Sequence, residues 1–298
     1  MRTLNRFVIP LLSAGWTAGL VAACGGGGGG SDTSPAAREP LALNATNGQR
    51  MAAAVVADGD DLADDDDSGF FLPQPLTAGG GIQPCRNGGT YTLVRGTPLR
   101  FGFNNCRQAG VVQNGGFTLQ VLAVEGDIDS PTSDSVFTAA LGFDGLTVTS
   151  NTETFVFEGG GYNATRRYIA SETLTTTTVS GSDLRFANDE AMARITAFDI
   201  VATTVSATSR HSLRYNLGYD DISFAGTVAV RTDLPLRNLE GFPPDSGKLT
   251  IIGANNTKVA VEATGGGTAR ISIDANGDGD FTDSGDRVIN GQWTTFFG

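Results

Sequence analysis

Lysine is nearly missing from this chain. It occurs twice in 298 residues, at Lys248 and Lys258, and histidine occurs once, at His211. With 32 acidic against 20 basic residues the formal charge is -12, and the only adjacent basic pair in the body is Arg166-Arg167. Such a field repels phosphate backbones and anionic bilayers, so nucleic acid and charged lipid surfaces are excluded as partners of the body. One histidine rules out a multi-histidine zinc site. It also leaves a single residue to serve a Ser-His-Asp triad. His211 lies in Ser209-Arg210-His211-Ser212 with no G-x-S-x-G elbow in the chain, and reads as an ordinary strand histidine. Beyond the N-terminus, no stretch holds a helical period for the 10–15 residues a crossover between parallel strands requires, which points away from an α/β fold.

Cysteine is scarce too, with Cys24, Cys85 and Cys106 the full set. Cys24 closes a segment with its own logic. Arg2 and Arg6 give a positive start, Phe7 to Val21 an apolar run interrupted by Pro10, and Ala22-Ala23 a small-residue exit. The run is too short for the roughly 20 residues a membrane-crossing helix needs, and reads as a secretory signal. With cysteine directly after Ala22-Ala23, residues 1–23 resemble a bacterial lipoprotein signal peptide. That resemblance implies lipidation of the Cys24 thiol, cleavage before it, and a membrane anchor. In that family an aspartate after the cysteine favours the inner membrane. Here Gly25 and Gly26 follow, so the resemblance implies the outer membrane. Several acyl chains at about 0.8 kcal/mol per buried methylene would make attachment effectively permanent.

Acylation of Cys24 leaves Cys85 and Cys106 as an even pair, expected to form a disulfide in an oxidising compartment. Tyr91 to Val94 and Leu99 to Phe103 read as strands about a turn at Arg95-Gly96. In that register facing residue numbers sum to 191, which sets Cys85 opposite Cys106. Closing a loop of roughly 20 residues would stabilise the fold by about 3 kcal/mol in the chain-entropy model. A redox or metal-binding thiol pair would call for C-x-x-C spacing, which is lacking.

Residues 24–84 read as a lipidated, Gly/Asp-rich, disordered tether. Six glycines follow Cys24, and Asp58, Asp60, Asp61 and Asp64 to Asp67 place seven carboxylates within ten residues. A run like that repels itself and stays solvated, with weak calcium collection as the alternative. Within it, Asn47 followed by Gln49 to Ala57 could form a short capped helix.

From Cys85 to Gly298 short alternating segments recur between turn signals, giving one all-β domain of about a dozen strands in an antiparallel meander. Barrel, sandwich and open curved sheet all remain open. The stretch Leu234 to Asp245, with three prolines, reads as a loop, Phe186 to Met192 as a turn, and Trp293 to Phe297 as a final strand. Phe143-Asp144 and Phe198-Asp199, 55 residues apart in similar contexts, hint at a duplicated hairpin.

The strongest local constellation runs from Asp274 to Asp286, with Asp274, Asn276 and Asp278 at positions one, three and five, and Gly279 at six. Oxygen ligands at that spacing suit a hard cation such as calcium. The stretch resembles the calcium loop of EF-hand proteins over its first half. It departs at position twelve, where Gly285 replaces the bidentate glutamate and leaves Asp283 or Asp286 to supply a carboxylate. The candidate ligands are Asp274, Asn276, Asp278, Asp280, Asp283 and Asp286, against a metal-free Gly/Asp turn between strands.

Other chemistry finds less support. Asp245-Ser246-Gly247-Lys248 has the tail of a phosphate loop, but Phe242 stands at the first glycine and Leu249 at the hydroxyl position. Glu153, Glu158, Glu172, Asp199, Asp220 and Asp221 lie in or beside strands and are the acids a glycan-acting hydrolase would draw on. Tether, glycine tract and D-x-N-x-D-G hairpin together resemble uncharacterised outer-membrane lipoproteins of proteobacteria. That resemblance implies an address in the cell envelope and carries no activity; the leading expectation is a non-catalytic binding or structural role there, with an unidentified envelope protein, glycan or lipid as partner. The alternatives are an open sheet that binds acyl chains and, further off, a membrane-spanning barrel.

Overall fold

The computed structural model describes residues 38–63, 80–108, 110–128, 130, 132–150, 154–187, 192–221, 223–224, 226–239 and 241–297, with side chains from 57 to 63 and at 192 left aside. The signal segment, Cys24, the glycine tract, Asp64 to Asp67, Glu153 and Asn188-Asp189 fall outside them.

The chain forms one antiparallel sheet of fourteen strands, each paired to its neighbours in sequence, and β1 and β14 are its two free edges. The strands are β1 Gly81–Pro84, β2 Thr90–Val94, β3 Leu99–Gln108, β4 Val111–Gly126, β5 Ser135–Thr149, β6 Thr154–Ile169 and β7 Leu174–Ala187. Next come β8 Met192–Val205, β9 Arg210–Asp221, β10 Thr227–Leu239, β11 Ser246–Ile252, β12 Lys258–Gly265, β13 Thr268–Asp274 and β14 Arg287–Gln292. Helices α1 (Gly48–Ala63) and α2 (Trp293–Phe297) bracket them. The all-β meander expected from alternation is present, and it is open.

Alternation sorts each strand into a buried and a solvated face. In β5 the inward row is Phe137, Ala139, Leu141 and Phe143, all buried, and the row between is half-exposed. Phe101 stacks on Phe117 at 4.6 Å directly across β3 and β4, and Phe143 on Phe157 at 4.6 Å. Cross-strand aromatic pairs of this kind add about 0.5–1.5 kcal/mol beyond their burial. All inward rows join one core, which α1 covers mainly over β8, β9, β12 and β13. The inward rows of β2 to β7 are buried as well, which calls for the sheet to curl over its own apolar face, as open sheets of more than about ten strands do.

The curl has a local cause. Strands β4 to β9 are 12–16 residues long, and each breaks register near its middle, along a crease that runs across the sheet. Glycines meet there, with Gly116 opposite Asp144, Gly142 opposite Gly161, Gly161 opposite Asp183 and Gly181 opposite Phe198. Gly115 (φ 79°) and Gly160 (φ 87°) occupy the left-handed region at bulges in β4 and β6, as a sharp bend requires. Phe143-Asp144 and Phe198-Asp199 both lie on this crease, which accounts for their similar contexts.

Four expectations change. The tether does not extend to residue 84. β1 belongs to the sheet, and α1 continues through Asp58, Asp60 and Asp61 to Ala63. Leu43, Met51, Ala52, Val55 and Val56 are at most 1% exposed, because the last four form one face of α1 with a place in the core and Leu43 packs into it from the segment just before the helix. Arg38 fastens the start of this segment. Its guanidinium binds Asp220 and donates to the carbonyls of Asp221 at 2.6 Å and Phe224 at 2.7 Å. Second, β10 runs through Leu234 to Leu239, where the prolines predict a loop. Pro235 sits at a register break, so its missing N–H costs no ladder bond. Third, Trp293–Phe297 is a helical turn, tied by Trp293 N donating to Gly267 O at 2.8 Å. Fourth, β2 and β3 pair with facing numbers that sum to 194, setting Tyr91 opposite Phe103 and Leu93 opposite Phe101. The expected register would place Arg100 across from buried Tyr91.

The Cys85–Cys106 disulfide forms nonetheless, with Cα atoms 5.4 Å apart. A tight turn at 85–89 carries Cys85 back towards β3, closed by Cys85 N to Gly89 O at 3.1 Å and Arg107 N to Gly88 O at 2.8 Å. Both half-cystines are buried.

Candidate metal centre

Between β13 and β14 the acidic loop leaves the sheet at Asp274. This carboxylate is fully buried and its two oxygens accept from Gly277 N at 2.6 Å and Gly279 N at 2.9 Å. Asp286 closes the other end, accepting from Ala275 N at 2.9 Å and Asp283 N at 3.1 Å. These two residues, expected as ligands, spend their oxygens on the loop backbone. They shape it.

Three of the six expected ligands converge. Single carboxylate oxygens of Asp278, Asp280 and Asp283 lie within 4.8 Å of one another on the exposed outer side of the loop and could hold a metal ion. Three anions so close need a positive group among them. Asn276 supplies a partial one, its amide nitrogen donating to Asp278 at 3.0 Å and to Asp283 at 2.7 Å. Its amide oxygen is turned to Asp278 N at 3.0 Å, so Asn276 offers the cluster N–H groups in the place where a cation would draw an oxygen.

The electrostatics follow that geometry. Hydrogen bonds from the Asp280 backbone and the Asn276 side chain hold the Asp278 carboxyl below its ordinary range. The Asp283 carboxyl is pushed up, first by its hydrogen bond with Asp278 and then by the charges of Asp278 and Asp280. Asp278 is thus the anion of the pair and Asp283 the group that takes up a proton first. A hard cation among them would offset the mutual repulsion that raises Asp283.

The residues considered for catalysis stand apart from one another. Asp199 faces Arg214 at 3.8 Å on the outer side of the sheet. Asp220 is bound by Arg38, and neighbouring Asp221 is buried on the opposite face, accepting from Ser223 N at 2.7 Å and Tyr219 OH at 3.1 Å. Glu158 and Glu172 are exposed. His211 shares a hydrogen bond of 3.1 Å with Thr204 Oγ1, with no carboxylate on that nitrogen.

One arrangement is not legible in the sequence. Lys248, at the end of the stretch that fails as a phosphate loop, and Lys258 line one cavity on the outer face of β10–β12, beside the acidic loop and roofed by its Phe281. Spacing along the chain cannot reveal that meeting. The available signal is the rarity of lysine itself.

No protein-family model matches this chain, and neither a curated protein nor a solved structure matches it, so its function has to be argued from the residues themselves.

Proposed function

We propose that the chain is a lipid-anchored protein of the bacterial cell envelope, held at the outer membrane through Cys24, whose sheet-built body works by binding and not by catalysis. The observation that carries the reading is the order Arg2, Arg6, apolar run, Ala22-Ala23, Cys24, followed by glycine where an inner-membrane retention aspartate would stand. A buried disulfide suits export to an oxidising compartment. Three of the six acids put forward for glycan hydrolysis, Asp199, Asp220 and Asp221, are engaged singly, by Arg214, by Arg38, and by Ser223 with Tyr219, and that favours binding over a two-carboxylate mechanism built on them.

Calcium is the cation we assign to Asp278, Asp280 and Asp283. The donors are all hard oxygens, the site is exposed, and few protein ligands converge. This is the pattern of extracellular modules with dissociation constants of about 0.1–1 mM. An acyl-chain carrier is less well supported, because the enclosed face is filled by the protein's own side chains, from Phe117 and Phe155 to Ile200 and Tyr215. The anchor is tested by radiolabelled palmitate in growing cells. Label on the wild type and none on Cys24→Ala is the expected result. An unlabelled wild type, or a variant that sediments with membranes as before, overturns it.

A further inference from the structure

The cavity beside the acidic loop has a volume of about 390 Å³, inside the range of about 300–1,000 Å³ typical of small-molecule sites. Its floor is the outer face of β10–β12, where Arg231, Thr250 and Ala260 stand in one cross-strand row. Asp233 is the only carboxylate in the lining, and it is already occupied. One oxygen takes Arg231 at 2.7 Å and the other accepts from the Thr250 hydroxyl at 2.6 Å. Arg231 is thereby fixed in direction while the rest of its guanidinium faces outward.

Lys248 and Lys258 are different. Both are half-buried, and among the described residues neither is in an ion pair or a hydrogen bond. Lys258 feels Asp278 only at a distance. The body is strongly acidic and uses arginine almost everywhere it needs a cation. It places both of its lysines in one cavity, with Glu262 across from Lys248 in register and Asp278 acting on Lys258 through space, yet pairs neither ammonium group with a carboxylate of the cavity lining. Two point charges and a fixed fork, with an aromatic ring as wall, form a recognisable donor set. Ammonium groups and guanidinium take up carboxylate or phosphate oxygens, and an aromatic face covers a ring.

We propose that this cavity binds a small anionic ligand, a carboxylate or phosphate carried on a sugar-sized ring, with Lys248, Lys258 and Arg231 on the anion and Phe281 against the ring. The site rests on the reading of the body as a binding module. It needs neither the anchor nor calcium, so a failed palmitate experiment leaves it standing.

The full chain, purified in non-ionic detergent, is titrated by calorimetry at low ionic strength with D-galacturonate, D-galactose 6-phosphate and neutral D-galactose. Saturable binding of at least one anion without binding of galactose is expected, and the two anionic arms separate carboxylate from phosphate. Lys248→Gln and Lys258→Gln should each weaken that binding about tenfold or more, as loss of a charge-assisted contact does. The corresponding Lys→Arg variants should keep it within a few-fold. Equal melting curves for all four certify that the sheet is intact. The proposal is overturned if neither anion saturates, if galactose binds equally well, or if the folded double glutamine variant binds the anion as the wild type does.

Discussion

Gly160 lies so close to its neighbour strand that a Cβ on it would stand 1.9 Å from the carbonyl oxygen of Asp183. Its φ of 87° would strain any other side chain as well. Gly160→Ala should therefore destabilise the body by at least about 1–3 kcal/mol. At about 2–4 °C per kcal/mol for a body of this size, a clear fall in melting temperature follows. Gly145→Ala is the control, for a Cβ there would meet nothing within 4 Å and only the φ of 62° opposes it. Equal losses at both sites would mean that crowding at the crease does not set the bend.

Removing the buried face of α1 tests whether the segment belongs to the fold. Met51→Ala empties a fully buried position and should cost about 2–5 kcal/mol in a denaturant melt. Truncation up to residue 37 should cost little, whereas truncation up to residue 57 should destabilise severely. If both truncations melt alike, the helix is an ornament on the sheet.

Gln113 is 1% exposed, and among the described residues neither polar atom of its amide has a hydrogen-bond partner. It sits on β4 opposite Cys106 and Val148, in an apolar setting. An unsatisfied buried amide costs about 1–3 kcal/mol, so Gln113→Leu should raise the melting temperature. A lower melt would indicate that the amide is satisfied by water or that leucine does not fit.

Reduction of Cys85–Cys106 should lower stability by about 3 kcal/mol, since the bond closes a loop of 21 residues. The Cys85→Ser/Cys106→Ser pair should melt like the reduced protein and be indifferent to reductant. A melt of the oxidised wild type no higher than that of the pair would remove the disulfide from the stability account.

Calcium at ten to a hundred times a dissociation constant stabilises by about 1.4–2.7 kcal/mol, so about 10 mM calcium should raise the melt by a few degrees and chelator should reverse it. Asp278→Asn should abolish the effect. The sign with pH follows from the pair. Asp278 is held low and Asp283 high, so as pH falls Asp283 is the first of the pair to take up a proton. A cation must displace that proton, and the calcium-induced shift should fade as pH falls into the carboxylate range. A shift that persists undiminished at acid pH would place the ion elsewhere.

How far the chain can be read in advance depends on which signal is local. The inward rows of Phe, Leu and Val announce strands because each strand carries its own alternation. The Asp274–Asp286 loop is visible because its members are contiguous. Three of its six nominated oxygen residues do converge, but the roles of Asp274 and Asp286 are out of reach, since only the folded turn reveals which backbone N–H groups claim their oxygens. The disulfide follows correctly from a register three residues off, because parity of the cysteines carries the inference and the turn at 85–89 absorbs the error. Helix α1 is legible over Gln49 to Ala57, but its longer course and its place in the core are hidden by its surroundings. Met51, Ala52, Val55 and Val56 have helical spacing, yet glycines before and aspartates after give the whole region the composition of a spacer. Trp293, Phe296 and Phe297 favour strands by propensity, and the contact of α2 with α1 overrides it.

The pairing pattern bears on how such a chain folds as it is delivered from its N-terminus onward. Every strand finds its partner in the stretch delivered just before or just after it, so hairpins can zip up in the order of their arrival. The segment from Arg38 to Val56 is the exception. Leu43 N must reach Thr257 Oγ1, 214 positions downstream, and Arg38 must wait for Asp220. What is delivered first docks last, and the body stays unlatched until its final third has emerged.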